Sequence, residues 1–325
     1  MTRIIGANLP NIPWEDPTDE SPVWRYSANP IIKRRPIKNV TRVFNSAVVP
    51  FNGKFAGIFR GETNNGIPYL FRGFSDDGIN FRFDEKPLKV YLENGEEYEF
   101  QYAYDPRVVE TEGSFYVIWC DGLEGNPVIG IARTTDFERF EFVSHPLLPY
   151  VRNGVFFPKK INGEYVLLSR PSDNGHTPFG DIYSSRSRDL IYWGKHSLIM
   201  KSGWEWWQTL KIGAGCAPIE TDEGWLLFYH GVSLTCNGYV YSMGAAILDK
   251  DDITKVKYRC GNFLLTPEEE YETVGFVSNV VFPCAALCDA ESGRIAVYYG
   301  GADTVVGLAF TEINRLMDYI KKYSR

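Results

Sequence analysis

The chain has fewer basic than acidic residues, and this balance argues against a nucleic-acid partner. Its 325 residues include 34 Lys and Arg against 41 Asp and Glu, which gives a formal net charge of −7 at pH 7. Proteins that bind polyanions usually present a basic face. We therefore expect no nucleic-acid partner, although an acidic protein can still hold a local cationic pocket.

Long hydrophobic runs and paired cysteine motifs are also missing. No stretch approaches the roughly 20 apolar residues that span a bilayer, and the first residues contain no apolar run of signal-peptide length. None of the six cysteines forms a C-x-x-C pair, and no His, Asp or Glu cluster has metal-ligand spacing. We expect a cytoplasmic protein with reduced thiols, no membrane contact, no metal and no organic cofactor.

Aromatic residues and glycines are plentiful, and they favour strands and tight turns. Aromatics make up 15% of the chain, and there are 30 glycines; this mix is typical of β-structure. Length alone suggests about two domains of roughly 150 residues, but β-propellers are longer single units. We expect one domain over 1–325, with an N-terminal extension over about 1–28.

A weak internal repeat indicates the architecture. Five times, an apolar run leads through a Gly-containing turn into a second apolar run, as expected for antiparallel hairpins. The turn glycines are Gly53, Gly113, Gly163, Gly224 and Gly293, with spacings of 60, 50, 61 and 69 residues. Each spacing accommodates a four-stranded blade. The repeat predicts an all-β, five-bladed propeller; a β-sandwich with accidental similarity is the alternative.

The last residues show a different period. Ile313, Leu316, Met317 and Ile320 recur at helical spacing, which predicts a short helix over about 312–324. We expect it to pack on the outside of the propeller or at a contact between subunits.

The repeat also gathers polar residues at one rim near the propeller axis. Seven residues after the turn glycines lie Arg60, Cys120, Arg170, Gly231 and Gly300, and eight residues before two of them lie Asn45 and Asp105. These positions are the far ends of the same strand pairs. Charged residues that end apolar strands are costly to bury without a partner or a ligand. The arginines are therefore either structural clamps paired with carboxylates or part of a ligand site.

A cationic set includes Arg60, Arg152, Arg170 and Lys211, with Asn153 beside Arg152 and His230 as a further candidate. Guanidinium forks and a lysine charge suit a phosphate dianion. No Walker-type or G-x-G-x-x-G loop is present, so nucleotide binding has no support. The set predicts a phosphate held by side chains.

Two carboxylates, Asp105 and Asp303, complete the candidate chemistry. Glycoside hydrolysis normally uses two carboxylates, one as acid and one as base or nucleophile. An attacking phosphate is already ionised, so phosphorolysis needs only the acid. One strong carboxylate beside a basic cluster thus favours phosphorolysis; the alternative role for Asp105 is turn capping.

Further residues could contact a sugar. Asn174 and His176 lie in a polar loop, while Tyr239 and Tyr241 are two residues apart and so share one face of a strand. With Phe282 these aromatics could pack against sugar rings. The alternatives are a hydrated surface loop and ordinary core positions.

Several long stretches carry a family resemblance, among them RVFNSAVVPFNG, YAYDPRVV, LSRPSDNGHTPFGDI, NVVFPCAAL and YYGGADT. Over about residues 29–310 the chain resembles glycoside hydrolase family 130, the inverting β-mannoside phosphorylases and their relatives, and is most similar to the branch acting on short β-mannosides and mannooligosaccharides. The resemblance implies a five-bladed propeller that uses inorganic phosphate as co-substrate and releases α-mannose 1-phosphate with inversion.

The resemblance also implies roles for individual residues. It implies that Asp105 is the general acid, which delivers its proton through the 3-hydroxyl of the donor mannose. The implied phosphate contacts are Arg152, Asn153, Arg170, Lys211, His230 and Tyr241. The implied donor-sugar contacts are Asn45, Ser46, Arg60 and Asp303. The implied acceptor-side residues are Tyr104, His176, Tyr239 and Phe282.

Some relatives in this family are hydrolases that lack the basic set, so the retained Arg152, Arg170 and Lys211 favour a phosphorylase. An inverting β-mannosidase and a non-catalytic glycan-binding propeller stay open as alternatives. The linkage, β-1,4 or β-1,2, and the acceptor also stay open, and segments such as 202–209 are expected to set them. Because oligomers are common among the relatives, we expect a homo-oligomer.

Overall fold

The computed structural model describes residues 1–172 and 180–325. Within this part of the chain, the strands form five sheets around a common axis, and the architecture is a five-bladed β-propeller. The predicted fold class is therefore confirmed, and the sandwich alternative is excluded.

The blades follow one another along the chain. A short strand β1 (Trp24–Arg25) precedes the first blade, which contains β2 (Val40–Phe51), β3 (Lys54–Thr63), β4 (Pro68–Ser75) and β5 (Phe81–Phe83). The second contains β6 (Val90–Tyr91), β7 (Ala103–Thr111), β8 (Ser114–Leu123), β9 (Asn126–Thr134) and β10 (Phe140–Ser144). The third contains β11 (Val151–Phe156), β12 (Tyr165–Pro171), β13 (Ile182–Ser187) and β14 (Trp193–Met200).

The fourth blade contains β15 (Lys211–Ala214), β16 (Ile219–Thr221), β17 (Gly224–Thr235), β18 (Gly238–Leu248) and β19 (Val256–Arg259). The fifth contains β20 (Val281–Cys288), β21 (Arg294–Gly301) and β22 (Val305–Glu312). Short helices lie outside the sheets: a 3₁₀ turn at Trp206–Gln208, α1 (Glu270–Thr273) and α2 (Ile313–Lys322). In the described residues, no helix is long and apolar enough to cross a membrane.

Each predicted turn glycine lies at the hairpin between two paired strands of its blade: β2–β3, β7–β8, β11–β12, β16–β17 and β20–β21. The φ angles of these glycines are positive, from 72° at Gly113 to 141° at Gly224. Residues with a side chain rarely adopt positive φ, whereas glycine adopts it without steric cost. The five hairpins of the repeat are confirmed, and their turns depend on glycine for this reason.

The ring is closed by the N-terminal part of the chain. Strand β1 pairs antiparallel with β22, with Trp24 opposite Phe310 and Arg25 opposite Ala309. It supplies the outermost strand of the fifth blade, next to β22, β21 and β20. The region expected to be an extension thus contains a strand of the propeller.

The C-terminal helix packs on its own chain. Its four predicted apolar residues are buried in one hydrophobic cluster with strands of the fourth and fifth blades. Of the two placements considered, the structure shows the outside of the propeller. The apolar face of α2 is covered within the protomer and is not left for a subunit contact.

Candidate active site

The candidate site is built on irregularities within the first strands of three hairpins, β2, β7 and β11. The ladder register shifts between Phe44 and Ser46 in β2, between Tyr104 and Arg107 in β7, and between Arg152 and Val155 in β11. The extra residues Asn45, Asp105 and Asn153 have φ of 46°, 51° and 55°. A bulge of this kind re-aims a side chain. Three blades thus present a polar side chain from equivalent bulges near the axis.

The second strands contribute from the opposing positions. The ladder pairs Arg60 with Phe44, Cys120 with Tyr104, Arg170 with Arg152, Gly231 with Ile212 and Gly300 with Phe282. The positions seven residues after the turn glycines are therefore equivalent, as predicted. A Cβ atom on Gly300 would lie 1.9 Å from Asn45 Oδ1, so this position needs glycine for Asn45 to occupy its place.

These side chains surround a cavity of about 910 Å³. Most residues predicted for the site line it: Asn45, Arg60, Tyr104, Asp105, Arg152, Asn153, Arg170, Tyr239, Tyr241, Phe282 and Asp303. Ser46, Lys211 and His230 are almost fully buried and do not line it. Asn174 and His176 lie outside the described residues. Among the described residues, none from 202–209 lines the cavity, so the expected role of this segment in linkage choice has no support here.

Asp105 is held by two donors from the first blade. Its Oδ1 accepts hydrogen bonds from Asn45 Nδ2 at 2.8 Å and from Arg60 Nη1 at 2.9 Å. Arg60 is fixed in turn by an ion pair with Glu62, and its guanidinium lies 4.2 Å over the Phe44 ring. Both donors bind the same carboxylate oxygen, so Oδ2 is the oxygen that these contacts leave available for a proton.

Asp303 is a second carboxylate close to this group. Burial raises its pKa to about 7; the positive charge of Arg60 opposes the rise, and the negative charge of Asp105 adds to it. Near neutral pH, Asp303 therefore exists in both protonation states and can donate as well as accept a hydrogen bond.

Arg170 is a buried cation whose surroundings suit an anion. Its Nη1 donates to His230 Nε2 at 3.0 Å, while its Nε has no hydrogen-bond partner among the described residues. Burial lowers its pKa, and the charge of Arg152 lowers it further. In residues 1–172 and 180–325, no carboxylate forms an ion pair with Arg170. A buried guanidinium in this situation is stabilised by a bound anion.

His230 lies behind Arg170 and is fully buried. Burial and the charges of Arg170, Arg107 and Lys211 lower its pKa well below the ordinary value. The ring is therefore neutral at physiological pH, accepts at Nε2 and carries its proton on Nδ1. The phenyl ring of Phe282 lies against it at 4.4 Å between centroids. The geometry favours a role in orienting Arg170 over a role as a charged ligand.

The other cations lie on the same side. Arg152 Nε donates to the Tyr104 hydroxyl at 2.8 Å, and its Nη1 donates to Ser172 Oγ at 2.9 Å. Lys211 Nζ lies 5.0 Å from the centre of the Tyr239 ring and 5.9 Å from that of Tyr241. Burial raises the pKa of Tyr241 to about 12, so its hydroxyl is a hydrogen-bond donor.

Sequence reasoning missed several residues of the site. Glu62 and Tyr102 line the cavity, and Phe276 joins them at its mouth. Arg107 is buried and donates to the Asp105 carbonyl oxygen at 2.9 Å, which supports the bulge. Glu62 lies two positions from Arg60, and Tyr102 lies two positions from Tyr104. Because alternate residues of a strand face the same side, this spacing could have placed both residues in the site. Phe276 lies in a connecting segment without such a signal.

Fold and site together define a β-propeller whose cavity combines the two carboxylates Asp105 and Asp303 with buried cations that suit an anion. The chain belongs to glycoside hydrolase family 130: the family model described as beta-1,4-mannooligosaccharide phosphorylase matches residues 8–322. The resemblance seen in the sequence is confirmed.

Individual relatives agree with this membership. The chain is 52% identical to a beta-1,4-mannooligosaccharide phosphorylase of Ruminococcus albus, over 99% of each chain. It is 35% identical to a 1,2-beta-oligomannan phosphorylase of a Thermoanaerobacter species, over 83% of this chain and 90% of the relative. Among solved structures, the beta-1,2-mannobiose phosphorylase of Listeria innocua, in complex with beta-1,2-mannobiose, superposes with a TM-score of 0.81 at 26% identity, covering 92% of this chain and 99% of that one.

Proposed function

We propose that this protein is an inverting phosphorylase that cleaves β-1,4-linked mannooligosaccharides with inorganic phosphate and releases α-mannose 1-phosphate. The observation that carries the proposal is the buried Arg170, without a carboxylate ion pair in the described chain, in the same cavity as the carboxylate Asp105. The β-1,4 linkage is supported by the 52% identity to the Ruminococcus albus relative, against 35% to the 1,2-linked relative.

In this mechanism Asp105 is the general acid. Asn45 and Arg60 bind its Oδ1 and hold the carboxyl group in position, while Oδ2 carries the proton. The proton passes through the 3-hydroxyl of the donor mannose to the glycosidic oxygen as the bond from C1 to that oxygen breaks. A phosphate oxygen forms the new bond to C1 from the opposite face, which inverts the configuration.

The phosphate occupies the cationic side of the cavity. Arg152 and Arg170 supply guanidinium donors, Lys211 supplies positive charge from its buried position, and Tyr241 and Asn153 supply neutral polar contacts. His230 orients Arg170. Holding the nucleophile next to C1 is the main contribution of this side, because correct positioning accounts for a large share of such rate accelerations.

Direct assays distinguish this function from its alternatives. The purified protein is incubated with α-mannose 1-phosphate and mannose, glucose, N-acetylglucosamine or β-1,4-mannobiose, and phosphate release is measured. In the reverse direction, β-1,4-mannotriose is incubated with and without phosphate. Phosphate-dependent formation of α-mannose 1-phosphate is expected. Equal cleavage without phosphate indicates a mannosidase, and binding without turnover indicates a glycan-binding protein; either result contradicts the proposal.

Site variants test the two halves of the cavity. Asp105→Asn should lower turnover by about 10²–10⁴-fold, the range of general acid catalysis, while mannotriose still binds.

Arg170→Ala should raise the KM for phosphate roughly 10- to 100-fold, because charged hydrogen bonds contribute about 1.5–3 kcal/mol. Arg82→Ala is the matched control, since the Arg82 side chain is 68% exposed on the first blade. An unchanged phosphate KM in Arg170→Ala would remove this residue from the site.

We also infer a cytoplasmic location and a homo-oligomeric state. All six cysteines lie in the described residues and are free, which suits a reducing compartment. The exposed side chains of Trp204 and Trp206, at 98% and 53% exposure, are apolar surface that an association between protomers would cover. Light scattering coupled to gel filtration measures the mass: a monomer would contradict the second inference.

A further inference from the structure

Phe276 is an unusual aromatic residue because it is exposed and yet belongs to the cavity. Its exposure is 57%, and it lines the cavity together with Ile67 and Pro68. A single exposed aromatic residue on a protein surface needs no explanation. An exposed aromatic residue that lines a ligand cavity, in contrast, offers the ligand an apolar surface to contact.

The ring of Phe276 is held in place from behind. The Arg42 guanidinium lies over it at 3.6 Å from the ring centroid. Arg42 is itself fixed by an ion pair with the buried Glu62 at 2.7 Å. The backbone N–H of Phe276 donates to Thr304 Oγ1 at 2.9 Å. One face of the ring is thus covered by a fixed cation, and the exposed part is held ready for a ligand.

The position of Phe276 along the cavity indicates which part of a ligand it meets. The inner end contains buried residues such as Asn45 at 2% and Phe282 at 5% exposure, whereas Phe276 lies at the open end. A sugar chain with its reacting residue at the inner end can extend only outward. The volume of about 910 Å³ lies near the upper end of the roughly 300–1,000 Å³ typical of small-molecule sites. There is room beyond the two sugars that flank the cleaved bond.

We propose that Phe276 is the platform of an outer acceptor subsite, which binds the third hexose of a β-1,4-mannooligosaccharide. This inference rests on the proposed function, and it makes Phe276 a determinant of preference for substrate chain length. The apolar face of a mannose ring stacks on the exposed part of the phenyl ring, as sugar rings pack on aromatic surfaces that offer flat apolar area.

Chain-length dependence of phosphorolysis tests the subsite. The values of kcat/KM for β-1,4-mannobiose, mannotriose and mannotetraose are measured at saturating phosphate. For the wild type, kcat/KM should rise from mannobiose to mannotriose. Phe276→Ala should reduce kcat/KM for mannotriose by about three- to tenfold, the value of one aromatic stacking contact, and change mannobiose less than twofold. Phe276→Tyr, which keeps the ring, should keep the rise.

Val274→Ala is the matched control, because Val274 is 62% exposed two positions earlier and does not line the cavity. Equal losses on all three substrates in Phe276→Ala, or no rise in the wild type, would overturn the subsite. Calorimetric binding of mannotriose without phosphate separates the two proposals. If no substrate is phosphorolysed, the function is wrong, but a weaker Kd for mannotriose in Phe276→Ala still supports the subsite; an equal Kd rejects it.

Discussion

Asp303 shows how burial and charge act against each other at a single residue. Burial raises its pKa from the ordinary 3.8 to about 7, although Arg60 favours the ionised form. The folded protein therefore holds this proton up to about pH 7, whereas the unfolded chain releases it near pH 4. The resulting stabilisation is complete below pH 4 and is lost as the pH rises through 7.

Asp303→Asn should remove this pH dependence. Between pH 5 and pH 8, the free energy of unfolding of the wild type should fall by about 1–3 kcal/mol relative to the variant, as measured by denaturant titration at both pH values. Asp76→Asn is the control. Asp76 is exposed and its pKa is lowered by Lys54 and Arg82, so no relative change is expected in this window. Parallel stability profiles for wild type and Asp303→Asn would show that Asp303 ionises normally.

At the scale of the elements, the inner strands depend on bulges and on a glycine opposite them. Asn45 and Asp105 leave the regular ladder, and Asn45 occupies the space that a side chain on Gly300 would need. The contact from Asn45 to Asp105 is therefore made possible by a neighbouring blade, since Gly300 lies in the fifth blade and Asn45 in the first.

Gly300→Ala should displace Asn45 and loosen Asp105. We expect a loss of stability of about 1–3 kcal/mol from overpacking and a larger relative loss of kcat than of substrate affinity. Gly194→Ala in the outer strand β14 is the matched control, because a Cβ atom there meets nothing within 4 Å. Thermal unfolding and steady-state kinetics measure both effects. Full activity in Gly300→Ala would show that Asn45 is not needed to hold Asp105.

At the scale of the whole molecule, the ring closes through an ion pair as well as through the strand β1. Arg25 Nε and Nη2 donate to the two carboxylate oxygens of Glu272 at 2.7 and 2.8 Å. The Glu272 side chain is fully buried and also accepts from the Tyr299 hydroxyl at 2.8 Å. Removal of Arg25 would leave a buried charge without its cation.

Arg25→Ala should destabilise the propeller by about 3–5 kcal/mol, the usual cost of breaking a buried pair from one side. Adding Glu272→Gln should recover part of the loss, because the uncompensated charge is then gone. Arg3→Ala is the control: Arg3 pairs with Asp222 at the surface, where its side chain is 82% exposed, and should cost less than about 1 kcal/mol. A small effect of Arg25→Ala, similar to that of Arg3→Ala, would show that β1 alone closes the ring.

The sequence by itself determined the repeat, the fold class and the chemical character of the site. Hairpin turns with positive φ at Gly53 or Gly113 follow from local backbone sterics, which leave a mark in every blade. The strand period then predicts that Arg60 and Asp105 lie at one rim, and the contact between them confirms it.

Only the tertiary structure decided which side chains meet behind that rim and at its mouth. His230 orients Arg170 across 60 residues of sequence, and Arg42 of the first blade covers Phe276 of the segment that precedes the fifth. These contacts join segments that become neighbours only when the five sheets close into a ring. No local pattern encodes them, because their energies come from burial and charge in the assembled core, whereas the turns and strands are specified by interactions between residues close in sequence.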